Sequence, residues 1–194
     1  MATITYGTAA NHELTLGETL RIEVAKGNQL GDLSFIDFDQ ALTRDVNGIE
    51  HFGKPVLPYH AAPGMHLVDG EGQPVLRVGP VVGDGGNDIM LPGCRRELYD
   101  DGRPGCRDLI AEALGIARSQ LTGMLSFFAL GRAEGDYYDG LAGTSAASGI
   151  SCEFTALRAI TVAVSACPGT GIPGFTPGAL RTHVISQVAG DTGG

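Results

Sequence analysis

Four cysteines pose the first chemical question: Cys94, Cys106, Cys152 and Cys167. Cys94 and Cys106 flank the polar, turn-rich segment "RRELYDDGRPG". Cys106 opens "CRDLIAEALGIA", where Leu109, Ile110, Ala113 and Leu114 fall at helical spacing. A thiol there meets unpaired backbone N–H groups and the positive end of the helix dipole, which favour a thiolate. Cys167 ends an apolar run just before Pro168. Three cysteines at the edges of elements can converge on one point. A zinc ion held by three protein ligands, with its fourth position open, is the arrangement a hydrolytic site needs. Spacing alone leaves two other readings standing: buried structural thiols and a cysteine nucleophile activated by histidine. The chain has no C-x-x-C and no H-x-x-x-H, and Cys152, inside an apolar run, reads as core.

Other groups could serve the same chemistry. Asp88, in "GGNDIMLPGC", is either a turn cap or a general base or substrate-binding carboxylate near Cys94. Asp108 suits the first turn of a helix, because a carboxylate complements the dipole. Arg107 does not suit it, which points to a specific task such as holding a carboxylate. The histidines, His12, His51, His60, His66 and His183, form no motif with a cysteine, and read as solvated loop residues.

Something must position these groups. A chain of 194 residues is long enough for one domain with a proper core. "TLRIEVAKGNQLGDLSFIDFD" reads as two strands around a Lys26-Gly27-Asn28 turn, with Leu20, Ile22 and Val24 alternating with polar neighbours. "HFGKPVLPYHAAPG" carries three prolines and reads as extended or looped. "MHLVDGEGQPVLRVGPVVGD" reads as a hairpin, "GMLSFFALG" as a short element, and "SCEFTALRAITVAVSACPG" as one or two buried strands. One last strand and a frayed Gly-rich end follow. The 30 glycines have no fixed period and read as turns. The expectation is one β-rich α+β domain with its main helix near residues 106–117. A net charge of −9 without a basic stripe argues against nucleic acid and anionic membranes as partners. The absence of a signal-peptide pattern and of a spanning apolar run points to the cytoplasm and reduced thiols.

The ordered set "GNQLGD", "NDIMLPGC", "GCRDLIAEAL", "SFF", "LRAITVAVSACPG" and "GFTPGALR" resembles the urea carboxylase-associated (urea amidolyase-associated) protein family. The likeness runs from about residue 14 to residue 185, and it is the order and spacing of the pieces that carries it. It implies a single domain of that type over residues 1–194 and an aminomethyltransferase-like fold. It implies Zn2+ on Cys94, Cys106 and Cys167, with Asp88 as general base and Arg107 as a substrate anchor. Asn28, Gln29, Asp32 and Ser126 would be further substrate contacts. Family members act as paired paralogous subunits that remove ammonia hydrolytically from carboxylated guanidine. The implied activity is therefore zinc-dependent hydrolysis of a C–N bond in a small guanidine- or urea-like compound, by a homo-oligomer or beside a paralogous partner. The chain departs from the family at Asn87, where a histidine is usual, at Ser126 and Leu130, where amides are usual, and in the shortened "GFTPG". The alternative is a noncatalytic zinc-containing subunit or small-molecule binding partner of a paralogous enzyme, which the Asn87 difference favours. Transferase chemistry with a folate-type cofactor is a third reading, and no residue speaks for it.

Overall fold

The structure is a computed structural model and describes residues 1–48, 60–83, 86–134, 137–144 and 146–186, with side chains of 131–142 left aside. Most of the proline-rich segment, with His51, and the Gly-rich end lie outside the described residues.

Alternating apolar residues set the strands. They are β1 (Ala2–Thr5), β2 (Ala9–Leu14), β3 (Thr19–Lys26), β4 (Gly31–Phe35), β5 (His66–Val68), β6 (Pro74–Val82), β7 (Asn87–Asp88), β8 (Leu125–Phe127), β9 (Ala129–Glu134), β10 (Tyr137–Thr144), β11 (Ser151–Ala156), β12 (Ile160–Ala166) and β13 (Ala179–Ile185). The two α-helices are α1 (Gln40–Val46) and α2 (Cys106–Leu114). Six strands pair in the order β1-β13-β3-β11-β6-β5, five in the order β2-β12-β4-β8-β7, and β9 with β10 forms a separate ribbon. One apolar cluster joins the two larger sheets: Leu20, Ile22 and Val24 of β3 and Phe154 of β11 share it with Leu33 and Phe35 of β4 and Val162 and Val164 of β12. The mostly β, α+β expectation therefore holds.

Helix α2 packs against β2, β12 and β4. Strand β4 is buried at every position, as a strand covered on both faces must be. The five-stranded sheet thus lies between α2 and the six-stranded sheet. The helix is shorter than expected, stopping at Leu114 because Gly115 takes the left-handed conformation (φ 69°) and closes it. The run 151–168 proves to be two strands in different sheets, β11 and β12. Helix α1 departs from the sequence reading. Its start is fixed by Asp39, whose carboxylate accepts the Leu42 N–H at 2.8 Å, and Thr43 is its one buried residue, so it leaves no apolar stripe to read.

The histidine expectation also needs correction. His12 lies in β2, His66 in β5 and His183 in β13, and His60 forms an isolated bridge with Asp88. All four are half-buried on the sheets.

Candidate metal centre

The sulfur atoms of Cys94, Cys106 and Cys167 lie within 4.8 Å of one another, and Cys94 Sγ to Cys167 Sγ is 3.8 Å. Each thiol arrives from a different element and each is braced. Cys94 sits in the loop that meets the start of α2. Its Sγ accepts the Cys106 N–H at 3.1 Å and its carbonyl accepts the Arg107 N–H at 2.9 Å. The loop cysteine thereby satisfies two of the amides that a helix N-terminus leaves unpaired. Asp108 completes this junction, its carboxylate accepting the N–H groups of Gly105 and Arg96, both at 2.9 Å. The approach is close enough to require glycine at 105, where a Cβ would stand 2.4 Å from Arg95 Cα and 2.5 Å from the Cys94 carbonyl oxygen.

Cys167 follows the last residue of β12. Its N–H donates to the Leu30 carbonyl at 3.0 Å, and its Sγ accepts the Gly169 N–H at 3.3 Å. Gln29, fully buried, donates from Nε2 to the Cys167 carbonyl at 3.0 Å and accepts the Gly178 N–H at 3.0 Å. Asn28 clasps the same region, bonding to Gly174 and Thr176. Cys152 lies fully buried in β11 of the other sheet, the core position expected of it, and burial pushes its thiol up.

The thiols divide by environment. The thiols of Cys106 and Cys167 hold Cys94 well below the ordinary thiol range by donating to it; Tyr99 and the Cys106 N–H assist, and burial opposes them. Burial pushes Cys106 up, reinforced by its own hydrogen bonds and the charge of Asp32. The sequence reading put the thiolate at Cys106. The helix amide instead serves the neighbouring sulfur of Cys94, while the side chain of Cys106 points into the protein.

A polar row crosses the five-stranded sheet beside these sulfurs. Ser165 of β12 pairs with Asp32 of β4, Asp32 with Ser126 of β8, Ser126 with Asp88 of β7, and Asp88 bridges to His60. Directly paired residues project to one face, and the contact between Asp32 and the Cys106 thiol shows that this face looks toward α2. Asp32 is nearly fully buried, and burial pushes its carboxyl up to about 7; the charges of Cys94 and Asp88 add to this, and hydrogen bonds from the Cys106 thiol and the Ser126 hydroxyl oppose it.

Asp32, Ser126, Cys94 and Cys167 line a cavity of about 340 Å3, closed by Leu30, Leu91, Pro92, Leu98, Tyr99 and Ile172 among others. The size is that of a small-molecule site. Asp88 is not in this wall. Its carboxylate accepts the N–H groups of Met90 at 2.7 Å and Leu91 at 3.0 Å, so it holds the turn that leads to Cys94. Arg107 is also outside it, with its guanidinium donating to the carbonyls of Pro92 and Leu121. Asn28 and Gln29 are likewise braces. Of the residues read as catalytic or substrate-binding, Asp32 and Ser126 reach the cavity. Tyr99 escaped the sequence reading because it sits in a polar, turn-rich segment with no periodicity to mark it.

The fold is shared with a DUF1989 family protein from Silicibacter pomeroyi. Its crystal structure superposes with a TM-score of 0.78 at 17% identity, covering 97% of this chain and 78% of that one. No protein-family model matches the chain, and no curated protein matches it.

The donor set fits a thiophilic metal. Zn–S bonds of about 2.3 Å at a tetrahedral angle place two sulfurs about 3.8 Å apart, the separation found between Cys94 and Cys167. The N–H group aimed at Cys94 favours its thiolate, as ligation requires. At Cys167 the hydrogen bond with Cys106 pulls the thiol down, and it is outweighed by the hydrogen bond with Cys94, burial and the charges of Cys94 and Asp32, which push the thiol up.

Proposed function

We propose that this protein is a zinc-dependent hydrolase acting on a C–N bond of a small guanidine- or urea-like compound, as the resemblance to urea carboxylase-associated proteins implies. The observation that carries the reading is the convergence of three cysteine sulfurs, two of them, Cys94 and Cys167, on the wall of a cavity that also holds a buried carboxyl. Cys94, Cys106 and Cys167 hold the metal. When bound, it supplies Lewis-acid activation of water at neutral pH.

Every other task falls to the chain. Asp32 takes the proton of the attacking water and returns it to the departing nitrogen. This is the role first assigned to Asp88, moved two strands along the row, past Ser126, because Asp88 is occupied with backbone amides. Ser126 fixes the rotamer of Asp32 by donating to it. Were a metal held there, Cys106 would be a thiolate, its proton lost to solvent, and the Asp32 oxygen that now accepts its hydrogen bond would be free to accept from water or substrate. The apolar walls exclude bulk water and strengthen these polar contacts.

Asn87 pairs with Phe127 on the opposite face from Asp88 and is fully buried, with no hydrogen-bond partner for either side-chain amide atom among the described residues. The second reading is a noncatalytic zinc-containing subunit, which the absence of a histidine at position 87 favours. The aminomethyltransferase-like side of the resemblance adds no folate-binding residue. Elemental analysis of protein purified without added metal tests the first half of the proposal, with about one zinc per chain expected. Ammonia release from substituted guanidines and ureas tests the second, and zinc-loaded protein inert toward all of them would sink it.

A further inference from the structure

The wall of the cavity limits what can bind beside the cysteines. Its polar groups are Asp32, Ser126, Tyr99, Thr170 and the thiols, and no lysine, arginine or histidine lines it among the described residues. Of the four arginines close in sequence, none is in the wall: Arg107 donates to the carbonyls of Pro92 and Leu121, Arg103 to Asp101, Tyr6 and Pro168, Arg96 pairs with Asp108, and Arg95 is exposed. The rest of the wall is apolar, and Leu98, 63% exposed, extends that character to the rim.

We propose that the site takes a neutral or cationic N–H-rich head, a guanidinium, amidine or amide, carried on an uncharged apolar group of a few carbons, and that it excludes carboxylated analogues. The head matches the acceptors: the Asp32 carboxyl and the Ser126 hydroxyl oxygen receive N–H groups next to the sulfurs. A carboxylate at the far end of such a ligand would be stripped of water against Leu30, Leu98 and Ile172, away from the cysteines, where no lysine, arginine or histidine among the described residues lines the wall to pair with it, and burying such a charge unpaired is strongly unfavourable. Unsubstituted urea or guanidine would leave the apolar wall uncovered, whereas an alkyl substituent displaces water from it. The inference rests on the hydrolase reading for the reaction, and on the cavity alone for selectivity.

A matched pair of probes separates the two. N-butylguanidinium and 4-guanidinobutanoate share a head and differ in ending on a methyl group or a carboxylate. Titration calorimetry on the zinc-loaded protein should show N-butylguanidinium binding at least tenfold tighter (roughly the scale of one mispaired buried charge). Asp32→Asn, checked for zinc content and circular dichroism, should weaken that binding by about tenfold while leaving the already weak 4-guanidinobutanoate no weaker. Equal or tighter binding of the carboxylate, or no binding of either probe, overturns the inference. Ammonia is measured in the same samples. Selective binding without ammonia release overturns the hydrolase reading and supports the selectivity, while preferential ammonia release from 4-guanidinobutanoate does the reverse.

Discussion

Asp32 and Asp88 stand in one row, on either side of Ser126, both buried and both on the face toward α2. Their surroundings give them opposite work. Asp88 spends its carboxylate on two backbone amides and shapes the turn before Cys94. Asp32 accepts hydrogen bonds from a thiol and a hydroxyl and opens into the cavity. Proximity in sequence to Cys94 pointed to Asp88, but cross-strand pairing brings Asp32 to the cysteine cluster from 62 positions away. A carboxyl group is available for proton transfer only where its lone pairs are not already committed to holding the backbone.

The widest contrast is between the clustered cysteines and the isolated one. Cys94→Ser or Cys106→Ser should lose the metal and, with it, several kcal/mol of stability, because thiolate–metal binding free energy is coupled to folding. Cys152→Ser should retain full metal and cost about 1–3 kcal/mol for a hydroxyl placed in an apolar wall. Elemental analysis and denaturant unfolding check both. Full zinc in either clustered variant would dissolve the three-cysteine site.

The two aspartates come next. Asp32→Asn should lower turnover by about 10²–10⁴-fold, the range for a positioned proton-transfer group, with zinc content unchanged. Asp88→Asn should cost about 1–3 kcal/mol of stability by weakening charge-assisted bonds to Met90 and Leu91, and reduce turnover far less. If the kinetic loss fell on Asp88 and the stability loss on Asp32, the roles assigned here would be exchanged.

Cys94 and Cys106 are brought together by a backbone contact that tolerates no side chain. Gly105→Ala should push the Cys94 loop away from α2, at about 1–3 kcal/mol for an overpacked contact, and weaken zinc retention against a chelator. Gly115→Ala, at the other end of the helix where a Cβ would meet nothing within 4 Å but φ is 69°, should cost less, roughly 1 kcal/mol of backbone strain, and leave zinc retention untouched. Equal chelator sensitivity in the two variants would mean that the junction does not set the sulfur spacing.

The parts of this arrangement that could be read from sequence are those whose signal is local. Strand β3 shows its alternation, α2 its apolar spacing and its terminating Gly115, and the three cysteines their places at element edges. Strands β1 and β2 and the β9–β10 ribbon gave no comparable signal: they are short, polar on one side or glycine-rich, and are held by pairing with distant strands. The same limit applied to the site. Asn28, Gln29 and Arg107 carry functional groups suited to substrate, but whether an amide or guanidinium faces a ligand or a carbonyl depends on which loop lies opposite it. Those loops come from residues 92, 121, 167 and 174–178.

Arg107 gives the finest test of that distinction. A substrate anchor and a loop brace predict different kinetics for the same change. Arg107→Met keeps most of the aliphatic stem and removes the donors to Pro92 and Leu121. As a brace, it should cost about 1–2 kcal/mol, at the low end for charged hydrogen bonds because one of the pair is exposed. KM should then stay near the native value, since no substrate atom loses a partner. As an anchor for a carboxylate, the same substitution would raise KM by about tenfold or more with little change in unfolding. A raised KM confined to carboxylated substrates would return the arginine to the cavity and weaken the division between braces and acceptors. A stability loss with KM unchanged would mean that the helix N-terminus here holds its loop through Arg107.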